Sequence, residues 1–138
     1  MVPATNSTKP IVPYNVFNLS EKGERESMTT EEILETFKEQ TGISIIRASK
    51  EGVLKDYNVV TDFPEILGAM LATVYGASVT AITDFTEGED AVVKIASGDH
   101  CIVIVSNSDD ILAAIVPNGG EVLEEDLQAL AKQLEESE

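Results

Sequence analysis

The side chains that most often carry out chemistry at neutral pH are scarce in this sequence. His100 is the only histidine and Cys101 the only cysteine, and the two are adjacent. A pair of this kind supplies at most two metal ligands, fewer than the four of a tetrahedral zinc site. Both residues lie in a predicted strand, where neighbouring side chains point to opposite faces. We therefore predict that one of them faces the core and the other the solvent, with no metal site and no catalytic role.

Carboxylates are abundant, but their spacing does not indicate a catalytic site. Asp109 and Asp110 are predicted to lie in a turn, where aspartate side chains cap backbone N–H groups. Glu87, Glu89 and Asp90 follow one another in a predicted linker and could bind a cation weakly, but they lack the regularly spaced ligands of a calcium loop. We expect Glu87, Glu89 and Asp90 to be solvated loop acids.

The glycines do not form a phosphate-binding motif. Neither the P-loop pattern nor the glycine pattern of dinucleotide-binding folds occurs. Gly119 and Gly120 precede the last predicted helix, and helix N-termini can bind anions. Here Glu121 and Glu124 already complement the helix dipole and would repel phosphate. The sequence thus predicts a protein that has no cofactor and is not an enzyme.

Charge limits the classes of partner. The 25 acidic and 9 basic side chains give a formal net charge of −16. Such a surface repels nucleic acid and anionic membranes, since both are bound through Lys and Arg. A basic protein surface fits better, and Glu124, Glu125 and Lys132 of the acidic last helix are weak candidate contacts for such a partner. No basic segment followed by an apolar stretch opens the chain, so we expect a cytoplasmic protein.

The first 27 residues differ from the remainder. They hold three of the five prolines and show no sustained periodicity, which predicts a mostly disordered leader. Its apolar run at residues 11–17 is a candidate docking segment. Residues 28–138 are long enough to bury one core and form the predicted domain.

Local signals set the order of elements in that domain. Thr29 and Glu32 make a capping box, and Gly42 ends the first helix. Strands are predicted at 43–48 and 53–57, a second helix from about 61–65 to 84, three strands at 91–96, 100–106 and 111–116, and a last helix at about 122–136. The tight turns between strands predict a mainly antiparallel sheet with helices packed on its faces, an α+β fold.

The second helix carries no charged residue from Ile66 to Ile82. Its large apolar side chains are predicted to face the core: Ile66, Leu67, Met70, Leu71, Val74, Tyr75 and Ile82. The opposite side is predicted to hold mainly small residues: Gly68, Ala69, Ala72, Thr73, Gly76, Val79 and Thr80. A helix without a charged face is normally buried on both sides. A membrane span, burial under the same chain and contact with a second subunit are the three explanations, and we favour the subunit contact because small residues let two helices approach closely.

These elements resemble the roadblock family of dynein light chains and small-GTPase regulators. The resemblance covers Thr29 to Glu136. It rests on the order of the elements and on these segments: Thr41-Gly42-Ile43-Ser44-Ile45-Ile46, Gly52-Val53-Leu54, the small-residue helix 66–81, and the apolar strands 100–105 and 111–116. It implies an α-β-β-α-β-β-β-α, profilin-like layered fold with a five-stranded sheet.

The resemblance also implies a function. Family members are homodimers or heterodimers joined through the second helix and the third strand, here Ala91, Val92, Val93 and Lys94. They bind small Ras-like GTPases or complexes that contain one, without catalysis of their own, although some stimulate GTP hydrolysis by the partner. The alternatives are a small-molecule sensor or a structural subunit of a larger assembly on a profilin-, longin- or PAS-like fold.

Overall fold

The computed structural model describes residues 28–87, 91–117 and 120–137. The elements are α1 (Thr30–Thr41), β1 (Ser44–Ser49), β2 (Leu54–Tyr57), α2 (Pro64–Ile82), β3 (Val93–Ser97), β4 (His100–Asn107), β5 (Asp110–Val116) and α3 (Glu124–Glu136). The predicted order and the α+β class are confirmed. The main differences are in the ends: α2 is shorter at both ends, and β3 and α3 begin two residues later than predicted. The predicted leader lies outside the described residues.

The five strands form one antiparallel sheet in the order β2-β1-β5-β4-β3. β5 therefore lies at the centre, between β1 and β4, and nearly all of its residues are buried. Gly98 turns the chain between β3 and β4 with a φ of 61°, and Gly52 turns it between β1 and β2 with a φ of 101°. Side chains rarely tolerate such positive φ values, so glycine suits both turns.

Helix α1 begins and ends as its sequence predicts. The Thr29 hydroxyl accepts a hydrogen bond from the Glu32 N–H at 3.1 Å, and the Glu32 carboxylate accepts one from the Thr29 N–H at 3.0 Å. Gly42 follows the helix in the left-handed conformation and donates its N–H to the Lys38 carbonyl. The capping box and the glycine stop satisfy backbone groups that a helix end leaves unpaired.

Helices pack on both faces of the sheet and create two apolar clusters. The first lies between the sheet and helices α1 and α3, and its largest fully buried members are Phe37, Ile33, Leu34, Ile45, Leu112, Leu127, Leu130 and Leu134. The second lies under α2 and contains Ile46, Ala48, Leu71, Ala72, Tyr75, Ile104, Ile111 and Ala113. The sheet is thus the middle of three layers, and α2 is the one described helix on its side.

A buried ionic cluster crosses three strands of this sheet. Arg47 of β1 is 2% exposed; its Nε donates to Asp56 of β2 at 2.8 Å, and its Nη1 lies 3.4 Å from an oxygen of Asp110 at the start of β5. The pairing register shifts between Arg47 and Ala48, which leaves Lys55 as an extra residue in β2. Lys55 Nζ reaches Asp110 at 2.9 Å. Asp110, predicted as a turn and capping residue, is consequently buried and paired with basic side chains of two other strands.

Candidate interaction surface on the second helix

The buried side of α2 consists of two small and two large residues. Gly68, Leu71, Ala72 and Tyr75 are the buried positions. A Cβ at Gly68 would lie 3.5 Å from Leu54 Cδ1 on β2, so the helix backbone approaches the sheet closely there. The small residues at this point let the helix settle against the sheet, and a bulkier side chain would hold it away.

This packing rotates α2 relative to the sequence prediction. Gly68 and Ala72 were predicted to face a second subunit, but they are buried against the protein's own sheet. Leu71 and Tyr75 are buried as predicted. Four other residues predicted to face the core are exposed instead, by 56%, 57%, 36% and 44% of their surface respectively: Ile66, Met70, Val74 and Ile82. That part of the prediction is wrong because it ranked faces by hydrophobicity, whereas the fit to the sheet depends on size.

The outward side of α2 is consequently more apolar than the sequence suggested. At 100° per residue, Ile66, Met70, Val74, Ala77 and Ala81 lie along one stripe, and all are exposed. The stripe has no charge along its length. Below it in sequence, Phe63 is exposed as well. Adjacent large apolar side chains on an exposed face are typical of a protein–protein contact surface.

The remaining small residues predicted for the interface flank this stripe. Ala69, Thr73, Gly76 and Thr80 are exposed, whereas Val79 is partly buried against the second cluster. The Thr73 and Thr80 hydroxyls donate to backbone carbonyls four residues earlier, at 2.9 and 3.0 Å. Because these donors are already used, burying the threonines against another surface leaves no hydroxyl donor unpaired.

The third strand lies at the edge of the sheet, with β4 as its neighbour. Of the four candidates there, Val93 packs against the cluster under α2 and Val92 against the cluster on the other face. The Ala91 carbonyl accepts a hydrogen bond from the Tyr75 hydroxyl at 3.4 Å, which ties the start of β3 to α2. Lys94 is exposed. An edge strand of this kind can add a further strand from another chain.

Length and composition alone would also allow α2 to cross a membrane; it is the one helix of this kind among the described residues. Core helices of soluble proteins meet the same criterion. The side chains of Leu71 and Tyr75 pack into the cluster on the sheet. α2 is therefore integrated in the domain through one side.

His100 and Cys101, considered above for chemistry, lie apart from the outward stripe of α2. His100 is exposed, with Nδ1 2.9 Å from Asp99 Oδ1, and this hydrogen bond lowers the pKa of Asp99. Cys101 packs partly against the first cluster, so the prediction of one outward and one inward residue is confirmed. Within residues 28–87, 91–117 and 120–137, three or more potential metal ligands do not come together. Glu89, Asp90 and Gly119 lie outside the described residues.

The acidic end of α3 lies on the opposite face of the molecule from α2. Glu124 and Glu125 are exposed in the first turn, and Lys132 is exposed two turns later. Partial burial, and next the neighbouring Glu125 charge, raise the pKa of Asp126. Three carboxylates thus lie within the first turn of α3.

This chain matches known proteins in structure but not in sequence. Neither a family model nor a curated protein matches the sequence. Solved structures do match: a Roadblock/LC7 domain from Streptomyces avermitilis is 18% identical with a TM-score of 0.61, over 67% of this chain and 82% of that one. An MglB structure with a tetrameric arrangement has a TM-score of 0.65 at 12% identity, over 95% of this chain and 96% of that one.

A third match is the gliding protein MglB of Thermus thermophilus, 14% identical with a TM-score of 0.64 over 94% of this chain and 96% of that chain. At these identities the agreement lies in the path of the backbone. Together with the helix–strand order and the antiparallel sheet, it shows that this chain has the roadblock fold. The expected fold is thus confirmed.

Proposed function

We propose that this protein is a non-catalytic, dimeric adaptor of the cytoplasm that regulates a small Ras-like GTPase. The observation that carries the proposal is the uncharged outward stripe of α2, in which Ile66, Met70 and Val74 are exposed side by side. A dimer would remove this apolar surface from water, at roughly 25 cal/mol for each Å². Relatives in fold include an MglB that forms a tetrameric arrangement, which supports assembly through this type of domain.

The GTPase partner is inferred from the fold. Roadblock proteins, which this sequence resembles, bind small GTPases, and the fold of this chain agrees with theirs. Because one fold can serve many functions, GTPase binding has to be measured directly.

The rival function is a small-molecule sensor built on a similar sheet, which needs a polar cavity between sheet and helix. The space under α2 is instead occupied by apolar side chains in contact, Leu71, Tyr75, Ile104 and Ile111 among them. A ligand there would have to displace well-packed core atoms. The packing under α2 therefore disfavours a sensor site on that face of the sheet, and the exposed α2 stripe supports the adaptor.

Gly76→Glu tests the dimer. Gly76 is exposed beside the stripe, and a Cβ added to it meets nothing within 4 Å, so the variant protomer should fold normally. We expect light scattering to report a dimer for the wild type and a folded monomer for the variant, because the new carboxylate would be buried without a partner. Gln40→Glu, which adds the same charge on the exposed side of α1, is the matched control and should stay dimeric.

A monomeric wild type would eliminate the homodimer, and a variant that stays dimeric would place the contact elsewhere. The GTPase requires its own measurement: binding of purified Ras-like GTPases, loaded with GDP or with a non-hydrolysable GTP analogue, to the wild-type protein. Preference for one nucleotide state is expected of a regulator. A dimer that binds neither form would favour the structural-subunit alternative.

A further inference from the structure

The described helices cover only part of the sheet face opposite α2. Helix α1 packs over β1 and β2, and α3 packs over β4 and β5, whereas β3 extends beyond both helices. Lys94 of β3 lies opposite Val103 in the register and shares its face, and Lys94 is exposed while Val103 is buried. An open strip of sheet therefore runs alongside α3.

This strip forms a groove of about 1050 Å³ between α3 and β3, which we call the α3–β3 groove. Its floor is apolar: Val103 and Val116 are buried members of the first cluster, and Cys101 and Val122 pack against that cluster. Leu123 is exposed at its wall. Such a floor can hold a few apolar side chains of a bound segment.

Charge is unevenly distributed around the groove. Glu121, Glu124 and Glu125 line the end where α3 begins, and all three are exposed. Among the described residues, none of them forms an ion pair. Lys94 and Lys132 line the groove farther along. The rim thus carries three carboxylates at one end that the described residues do not neutralise, in a protein whose net charge is −16.

We propose that the α3–β3 groove docks an amphipathic, basic segment of another protein, with its apolar side chains on the floor and its basic side chains against the first turn of α3. Opposite charges attract such a segment from a distance and fix its direction in the groove. A second copy of this chain fits less well, because it brings its own negative charge to the same rim. This site lies on the sheet face opposite the α2 stripe and shares only Lys94 with the candidate dimer residues of β3. Peptide binding is measured independently of the GTPase.

The test uses the full-length protein and a fluorescein-labelled synthetic helical peptide of leucine and lysine, arranged with one apolar and one basic face. Fluorescence anisotropy measures its affinity, and the rate of Cys101 alkylation by N-ethylmaleimide reports occupancy, since Cys101 is the only cysteine and lines the groove. We expect saturable binding that slows alkylation. A peptide of the same composition in scrambled order should bind much more weakly and leave the alkylation rate unchanged.

Three variants locate the binding. Glu124→Gln/Glu125→Gln should lower the affinity for the peptide roughly tenfold, equivalent to about 1.4 kcal/mol. Glu35→Gln/Glu39→Gln removes the same charge from the exposed side of α1 and should change the affinity little. Lys132→Gln removes a positive charge that repels the basic peptide from the groove. It should raise the affinity, whereas the glutamine substitutions at Glu124 and Glu125 lower it.

Several results would overturn the proposal. Equal losses in the two glutamine pairs, or equal binding of the scrambled peptide, would mean attraction to net charge alone. An alkylation rate of Cys101 that, without peptide, increased on dilution of the protein would mean that a second copy already covers the groove.

Discussion

Arg47 is the buried charge on which the stability of the sheet depends most directly. It is bonded to Asp56 and lies near Asp110, so one guanidinium serves carboxylates on the strands to either side of β1. An ion pair of this kind contributes little when compared with an apolar replacement of the whole cluster. Removing Arg47 alone is different, because Asp56 would lose the guanidinium that pairs with it and Asp110 would keep only Lys55, while both carboxylates stay largely buried.

We therefore predict that Arg47→Met lowers the free energy of unfolding by about 3–5 kcal/mol. Lys55→Met removes the same charge from the same cluster, but the Lys55 side chain is over a third exposed, so its loss should cost at most about 1 kcal/mol. Urea denaturation followed by circular dichroism measures both.

Arg47→Met combined with Asp56→Asn and Asp110→Asn is the control, and it should recover part of the lost stability because no charge remains buried without a partner. Equal losses for Arg47→Met and Lys55→Met would show that burial of the guanidinium is not the reason for its effect.

At the scale of the element, α2 combines two faces with different requirements. Its inner face must fit closely on β1 and β2, and Gly68 provides that fit opposite Leu54 and Ala48. Its outer face carries Ile66 and Met70, which are exposed and do not have to fit against the sheet. The helix is thus apolar all round for two separate reasons, one of packing and one that we assign to assembly.

Substitutions at Gly68 test the close approach. A Cβ there would lie 3.5 Å from Leu54 Cδ1 and 3.6 Å from Ala48 Cβ, which is ordinary contact. Gly68→Ala should therefore stabilise the protein, by up to about 1 kcal/mol, because alanine favours helix. Gly68→Leu should destabilise it by about 1–3 kcal/mol, because its larger side chain overfills the space.

Thermal or urea unfolding measures the pair, with Gly76→Ala and Gly76→Leu as matched controls at an open helical position. The closeness of α2 to the sheet would be refuted if Gly68→Leu were tolerated as well as Gly76→Leu.

For the whole molecule, the distribution of charge separates the two proposed surfaces. The α2 stripe has no charge, whereas Glu121, Glu124 and Glu125 border the groove on the other face. Two protomers that associate through α2 bring together two net charges of −16 without ion pairs along the helix to offset them. Electrostatic repulsion between the two protomers therefore opposes the apolar attraction between their α2 stripes.

The dimer should consequently become tighter as salt is added, because screening weakens the repulsion while the apolar contact persists. Binding of the basic peptide in the α3–β3 groove should weaken over the same range. Sedimentation equilibrium and anisotropy from about 0.02 to 0.5 M sodium chloride, where the screening length falls through roughly 10 Å, measure the two trends. A dimer that loosens with salt would indicate an interface held by ion pairs and would contradict assembly through the stripe.

The sequence by itself determined the elements and their order. Thr29, Glu32 and Gly42 fix the limits of α1 through hydrogen bonds made within a few residues, and Gly52 and Gly98 set the turns in the same local way. The absence of charge in α2 likewise marked the helix as buried or docked on more than one side. These features depend on near neighbours in the chain, so the sequence contains the information that decides them.

Only the tertiary structure decided which way α2 faces and where Asp110 lies. The orientation of α2 depends on the space between its backbone and Leu54, a residue on another element, and size outweighs hydrophobicity there. Asp110 is buried because Arg47 and Lys55, both far away in the sequence, come to it across the sheet. Contacts of this range exist only once the strands have paired, and hydrophobic periodicity along the chain does not encode them.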